Sequence, residues 1–199
     1  RFYACFEDSG DEDESLQERA LNRTKDKTYT CFENANKIIQ EHIVKIPTHA
    51  GMGCTAELLT FSGRSYIIGH VGDSRSYLLS NGGSLRQLTK DHSLVQDQVD
   101  KGTIGKKQAS RSVLKNVLSR AVGVAPHLEV DMISGQANAG DTFLLCSDGL
   151  YNMVPDEDLE AILVFDAPLS LKAEMLVNMA NDNGGRDNIS VTLVHIPPQ

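Results

Sequence analysis

The order of hydrophobic patterns along the chain predicts an α+β fold built from antiparallel sheets covered by helices. Two observations lead there. A long helical pattern comes first, then a run of short strands, then a mixture of both. Helices therefore do not alternate one-for-one with strands, as a doubly wound parallel sheet would require. Asn81-Gly82 also falls between two of the strand patterns, which is a strong hairpin signal. The 199 residues, 40% hydrophobic and 23% charged, suffice for one domain with a substantial core. No internal repeat, low-complexity tract or second domain is visible, so residues 1–199 are read as a single domain.

The elements follow in order. Residues 2–6 read as a strand, and the acidic stretch "EDSGDEDES" after it as a solvated loop. Residues 15–46 carry helical spacing, with Phe32, Ala35, Ile39 and Ile43 on one face, and Pro47 ends the pattern. From Cys54 the texture changes to "TAELLTF", "RSYIIGHVG" and "SRSYLLS", three short strands with turns between them. Residues 92–101 and about 107–120 read as helical or irregular. Strands follow near 128–134 and 142–147. "PDEDLEAIL" opens a helix with acids in its first turn, and "SLKAEMLVNMAND" forms another, closed by Gly184-Gly185. "NISVTLVHI" alternates as a last strand.

Charge and cysteine usage narrow the function. A formal net charge of -8 argues against nucleic acid as the main partner, because phosphate backbones call for a basic face. It suits a site built from carboxylates. Cys5, Cys31, Cys54 and Cys146 are widely spaced and form no C-x-x-C pair, which favours a reducing compartment and carries no zinc signal. No apolar run approaches the length of a membrane span and no signal peptide is visible, so the expectation is a cytoplasmic protein without a membrane partner. The chain opens on Arg1 rather than methionine, and reads as a piece of something longer.

Three acids share one context. Asp73 follows "YIIGHVG", Asp148 follows the apolar strand "FLLC", and Asp187 precedes "NISVTLV"; each lies beside a glycine. Any one of them is ordinary turn or N-cap chemistry. Three together predict convergence on one site, because buried carboxylates are costly unless paired, hydrogen-bonded or bound to a metal. Hard divalent cations such as Mg²⁺ and Mn²⁺ take such oxygen ligands.

The segments "GMGCTA", "GHVGDSRSYLL", "LTKDHSLV", "NVLSRAVG", "LLCSDGL" and "GGRDNISVTLV" occur in the order, and at roughly the spacing, of the PP2C-type metal-dependent protein phosphatases. The chain resembles the bacterial branch of that family over nearly its whole length. The resemblance implies a four-layer αββα sandwich, two antiparallel sheets flanked by helices, with two to three Mn²⁺ or Mg²⁺ ions in a carboxylate-rich cleft. It implies Asp148 and Asp187 as ligands of the core metal pair, and Asp73 as a ligand of a third position. Asn188 and Gly149 would support those ligands. Arg186, from its place beside Asp187, reads as the ion partner of that acid, with contact to substrate as the alternative. A mobile flap would occupy about 91–120. The implied activity is hydrolysis of phosphoserine and phosphothreonine in phosphorylated proteins by a metal-activated water, which needs no Cys or Arg nucleophile motif.

The match departs from the family in two places. An upstream strand bearing an Arg and a Glu-Asp pair is expected before Arg1. After Phe6 the family has Asp-Gly-x-Gly-Gly, whereas this chain has Glu7-Asp8-Ser9-Gly10-Asp11, which puts Glu7 on the position of the bridging ligand and Asp8 on that of a glycine. Three readings stay open: an active phosphatase, a pseudophosphatase that keeps the fold as a binding or regulatory domain, and a generic carboxylate metal-binding protein. Among the other candidates, His70 reads as a core histidine and His92 as structural. Arg75 reads as the ion partner of the acid before it, Arg120 as an anchor for the flap end, and "KGTIGKK" as an exposed basic part of the flap.

Overall fold

A computed structural model of the chain describes residues 14–109, 112, 114 and 117–197. Glu7 and Asp8, and with them the expected strand over 2–6, lie outside these residues. In chain order the elements are α1 (Glu14–Lys45), β1 (Ala56–Ser62), β2 (Ser65–Val71), β3 (Arg75–Leu79), β4 (Leu85–Gln87), α2 (Leu94–Asp100), α3 (Lys106–Ala109), β5 (Asp131–Gln136), β6 (Thr142–Cys146), α4 (Asp148–Tyr151), α5 (Asp156–Val164), α6 (Leu169–Asp182) and β7 (Val191–His195). The expected α+β composition is found, with two antiparallel sheets and helices. The described residues divide into two compact units, one up to Gly72 with Ser119–Ala137 and one over Asp73–Leu118 with the residues from Asn138 on.

The first unit holds the sheet β1-β2-β5, antiparallel throughout, with α1 packed on β1 and β2. Central β2 is buried over Tyr66–Val71, which explains why its sequence shows an apolar run rather than alternation. Phe32 on α1 reaches β2 at Gly69, where a Cβ would stand 2.4 Å from the Phe32 ring. Glycine there is what lets the helix approach. Phe32, Val71, Val122 and Leu128 form the core of this unit. The buried stripe of α1 differs from the expected one: Asn36 is buried where Ala35 was expected, and Ala35 is exposed. A polar residue is tolerated there because its amide is fully used. Asn36 donates to the Ala125 carbonyl at 2.9 Å and accepts from the Gly123 amide at 2.6 Å, while Gln40 donates to the Gly123 carbonyl at 3.0 Å.

His70 is fully buried and hydrogen-bonds Glu57, its register partner across β1 and β2. The reading of His70 as a satisfied core histidine is consistent with this. The last expected strand before β6 starts three residues later than its apolar pattern, at Asp131, which pairs with His70 and accepts from Arg120 Nη1 at 2.8 Å.

The second unit holds the sheet β4-β3-β6-β7, also antiparallel. Its core is formed by Tyr77, Leu144, Cys146, Leu150, Leu159, Leu163 and Leu176, all 4% exposed or less, contributed by β3, β6, α4, α5 and α6. Burial of each of these leucines stabilises by about 1.5–3 kcal/mol. The hairpin announced by Asn81-Gly82 joins β3 to β4 with Leu79 opposite Leu85, and Gly82 takes the positive φ of +69° that its turn requires. Asp141 braces the turn by accepting from the Asn81 amide at 3.1 Å. Cys31, Cys54 and Cys146 are free thiols. Among the described residues no helix is long and apolar enough to cross a membrane.

Candidate functional site

The second unit carries Asp73, Asp148 and Asp187. Asp73 sits in the residues just before β3, and Asp148 opens the one-turn helix α4 behind Ser147, whose extended backbone serves as the N-cap. The apolar run of β6 thus stops at Ser147 because the chain turns into a helix there. Asp187 lies in the loop before β7 and is exposed, and the Asn188 amide donates to its carboxylate at 2.7 Å.

Hydrogen bonds bring the Asp187 loop against the start of α4. Ser147 Oγ donates to the Asn188 carbonyl at 3.1 Å and accepts from the Ser190 amide at 2.9 Å, while the Ser147 amide donates to the Ser190 carbonyl at 3.1 Å. The contact is tight. A Cβ on Gly149 would stand 2.3 Å from the Asn188 carbonyl oxygen, so any larger residue would push this loop away from Asp148. Gly149 and Asn188 therefore meet through the backbone; the Asn188 side chain is exposed, as is Arg186.

Asp73 and Asp148 are electrostatically coupled. Burial pushes the Asp73 carboxyl above the usual carboxylate range, the negative charges of Asp148 and Asp91 push it further, and Arg75 offsets only part of this. Among the described residues, no three His, Cys, Asp or Glu side chains gather into a metal-ligand set. Asp187 is thus not collected with Asp73 and Asp148 into such a trio. The donor set around Asp73 and Asp148 is nevertheless chemically right for a hard divalent cation. It consists of carboxylate oxygens whose repulsion a positive ion would relieve.

Arg75 departs from its expected role. It does not pair with Asp73 but forks onto Asp91, with Nε donating to Oδ1 at 2.8 Å and Nη2 to Oδ2 at 2.7 Å. Asp91 wins because it offers both oxygens to the planar guanidinium. Burial works against the charge of Arg75, and the bonds to Asp91 more than reverse this, so its pKa is raised. The guanidinium also lies 3.6 Å from the centroid of the Tyr151 ring, and Nη1 donates to Tyr77 Oη at 3.2 Å. Tyr151 donates its hydroxyl to the backbone carbonyl of Asp73 at 2.9 Å. Burial raises the pKa of both tyrosines, so they stay protonated. This web escaped the sequence reading. Its one available signal was Tyr151 three residues after Asp148, one turn along a helix too short to show a period.

The start of the expected flap is firmly built. Ser93 caps α2 by accepting from the Gln96 amide at 3.2 Å, and the Leu94 amide donates to the Val117 carbonyl at 2.9 Å. His92, the residue before the Ser93 cap, is 2% exposed.

The Protein phosphatase 2C family profile matches residues 6–189. The chain belongs to the PP2C family. Among its PP2C relatives is the serine/threonine phosphatase stp of Listeria welshimeri serovar 6b, 47% identical over 144 residues that cover 72% of this chain and 57% of the relative. This chain thus spans a little over half the length of that protein. Among solved structures, the Streptococcus agalactiae serine/threonine phosphatase is 34% identical with a TM-score of 0.83, covering 88% of this chain and 72% of that one. The catalytic domain of the serine/threonine protein phosphatase PstP, solved in complex with two manganese ions, is 34% identical with a TM-score of 0.74, covering 82% of this chain and 67% of that one.

Proposed function

We propose that this chain belongs to a phosphoprotein phosphatase that hydrolyses phosphoserine and phosphothreonine, with two to three Mn²⁺ or Mg²⁺ ions as cofactors. The observation that carries the proposal is the fastening of Asp73 to the helix that opens with Asp148, through the Tyr151 hydroxyl on the Asp73 carbonyl at 2.9 Å. The names of the relatives and the manganese in the PstP structure support the same reading. Asp148 and Asp187 would hold the core pair of ions and Asp73 a third. Glu7, outside the described residues, is proposed at the position of the bridging ligand, with Asp8 beside it as a further candidate ligand. When bound, such ions lower the pKa of a coordinated water and offset charge on phosphoryl oxygens.

The chain's own residues do the rest. Ser147 and the Gly149–Asn188 contact hold the Asp187 loop beside α4. Arg75 is held on Asp91 and offsets only part of the charge at Asp73, which leaves that acid suited to a cation. Arg186, which is exposed, would meet a phosphate arriving from solvent. The acidic composition and scattered cysteines support a cytoplasmic setting, and phosphorylated proteins are the proposed partners. A phosphopeptide or p-nitrophenyl phosphate assay tests the reading. Release of phosphate should require Mn²⁺ and fall to background in Asp148→Asn. A chain that takes up no Mn²⁺ and releases no phosphate would overturn it.

A further inference from the structure

We infer that Tyr151 is a positioning residue, whose hydroxyl ties the backbone of Asp73 to the one-turn helix that carries Asp148 and so sets the spacing of the two carboxylates. The inference rests on the phosphatase reading above, since the spacing matters only if the two acids serve neighbouring ions of one site.

Tyr151 follows Asp148 by three residues, so both project from one side of the same turn. Its hydroxyl bonds the carbonyl of the very residue that carries the opposing acid, at 2.9 Å. Two residues on, Arg75 lies over the Tyr151 ring at 3.6 Å and is gripped by Asp91 through two bonds of 2.7 and 2.8 Å. The segment 73–75 is therefore held at both ends by one side chain, at Asp73 through the hydroxyl and at Arg75 through the ring. A loose segment would let Asp73 swing away from the helix that carries Asp148. A neutral bond to the carbonyl opposes that movement without adding charge where a cation must enter.

The alternative is that Tyr151 is only a packing residue, since its ring also lies against the core of the second unit. Tyr151→Phe separates the two, because it keeps ring, packing and stacking and removes the hydroxyl alone. In EDTA the variant should melt within about 2 °C of wild type, while amide exchange quickens over residues 73–76. Mn²⁺ binding, followed by the EPR signal of the free ion, should weaken roughly three- to tenfold, the worth of one net hydrogen bond. KM for p-nitrophenyl phosphate should stay unchanged and kcat should recover at saturating Mn²⁺. Arg75→Lys, which keeps the charge but loses the fork, should shift the Mn²⁺ curve in the same direction. A Mn²⁺ curve of Tyr151→Phe that superimposes on wild type would overturn the inference, whatever Arg75→Lys does, and leave the phosphatase reading intact. So would a weakening of Mn²⁺ binding that comes only with a matching loss of melting temperature in EDTA. Wild-type protein that takes up no Mn²⁺ would overturn both.

Discussion

Asp73 shows how a single residue can be costly to the fold and useful to the site. Its carboxyl is pushed up by burial first and by the charge of Asp148 next. A carboxyl whose pKa is higher in the folded than in the unfolded chain binds an extra proton when folded. Its contribution is most favourable below the ordinary carboxylate range and is lost as pH rises through the raised value. In metal-free protein, Asp73→Asn should therefore raise the melting temperature at neutral pH, and the gain should vanish as the solution is acidified past the ordinary carboxylate range. With Mn²⁺ present the order should reverse, wild type gaining more from the ion than the variant. Thermal scans across pH, with and without EDTA, check this. A gain equal at every pH would mean that no raised pKa is involved. Arg75 teaches the complementary lesson. Adjacency in sequence pointed to Asp73 as its partner, but the geometry of a planar fork favours a carboxylate that faces it squarely, and Asp91 does so from sixteen positions away.

At the scale of elements, what could be read depended on how much of each pattern was carried by apolar burial. β2 and β6 were legible because they are central strands buried along most of their length, and α6 because its apolar face repeats over fourteen residues. α4 was not, since four residues cannot display a helical period. The stripe of α1 was read one residue off at Asn36, because hydrophobic spacing does not register a polar side chain that is buried to serve backbone groups. That assignment yields a stability prediction. Asn36→Ala strands the Gly123 amide and the Ala125 carbonyl, both partners of the lost side chain, and should destabilise the protein by about 1–3 kcal/mol. Urea unfolding should show this as a lower midpoint with an unchanged slope. A midpoint like that of wild type would mean that water replaces the amide without loss. Gly123 beside it has a positive φ of +95°, and a Cβ there would stand 2.4 Å from Ile39, so this loop packs closely on α1.

For the molecule as a whole, the candidate site was more legible as a family of motifs than as geometry. Six short segments in order pointed to PP2C, and the acids they carry could be named. What no spacing could convey was how the loops bearing those acids are fastened: Tyr151 on Asp73, Ser147 on the Asn188 loop, and Gly149 against Asn188. These fastenings are polar and local, while the core behind them, from Leu144 to Leu176, is apolar and fully buried. The two parts should answer differently to metal removal. The core strands draw their protection from burial, which EDTA leaves untouched. The loops hold like charges near one another, and on the proposed reading a cation offsets that repulsion. Hydrogen exchange with and without EDTA should therefore show faster exchange confined to residues 72–75, 147–149 and 186–188, with β6 and α6 unchanged. Exchange that rises evenly over core and loops would make the ion a global stabiliser, and identical exchange in both conditions would remove it from these loops altogether. The middle outcome, a change at 72–75 and 147–149 but not at 186–188, would assign the ion to Asp73 and Asp148 and leave Asp187 outside the ligand set, which is the arrangement in which the first two acids are already coupled.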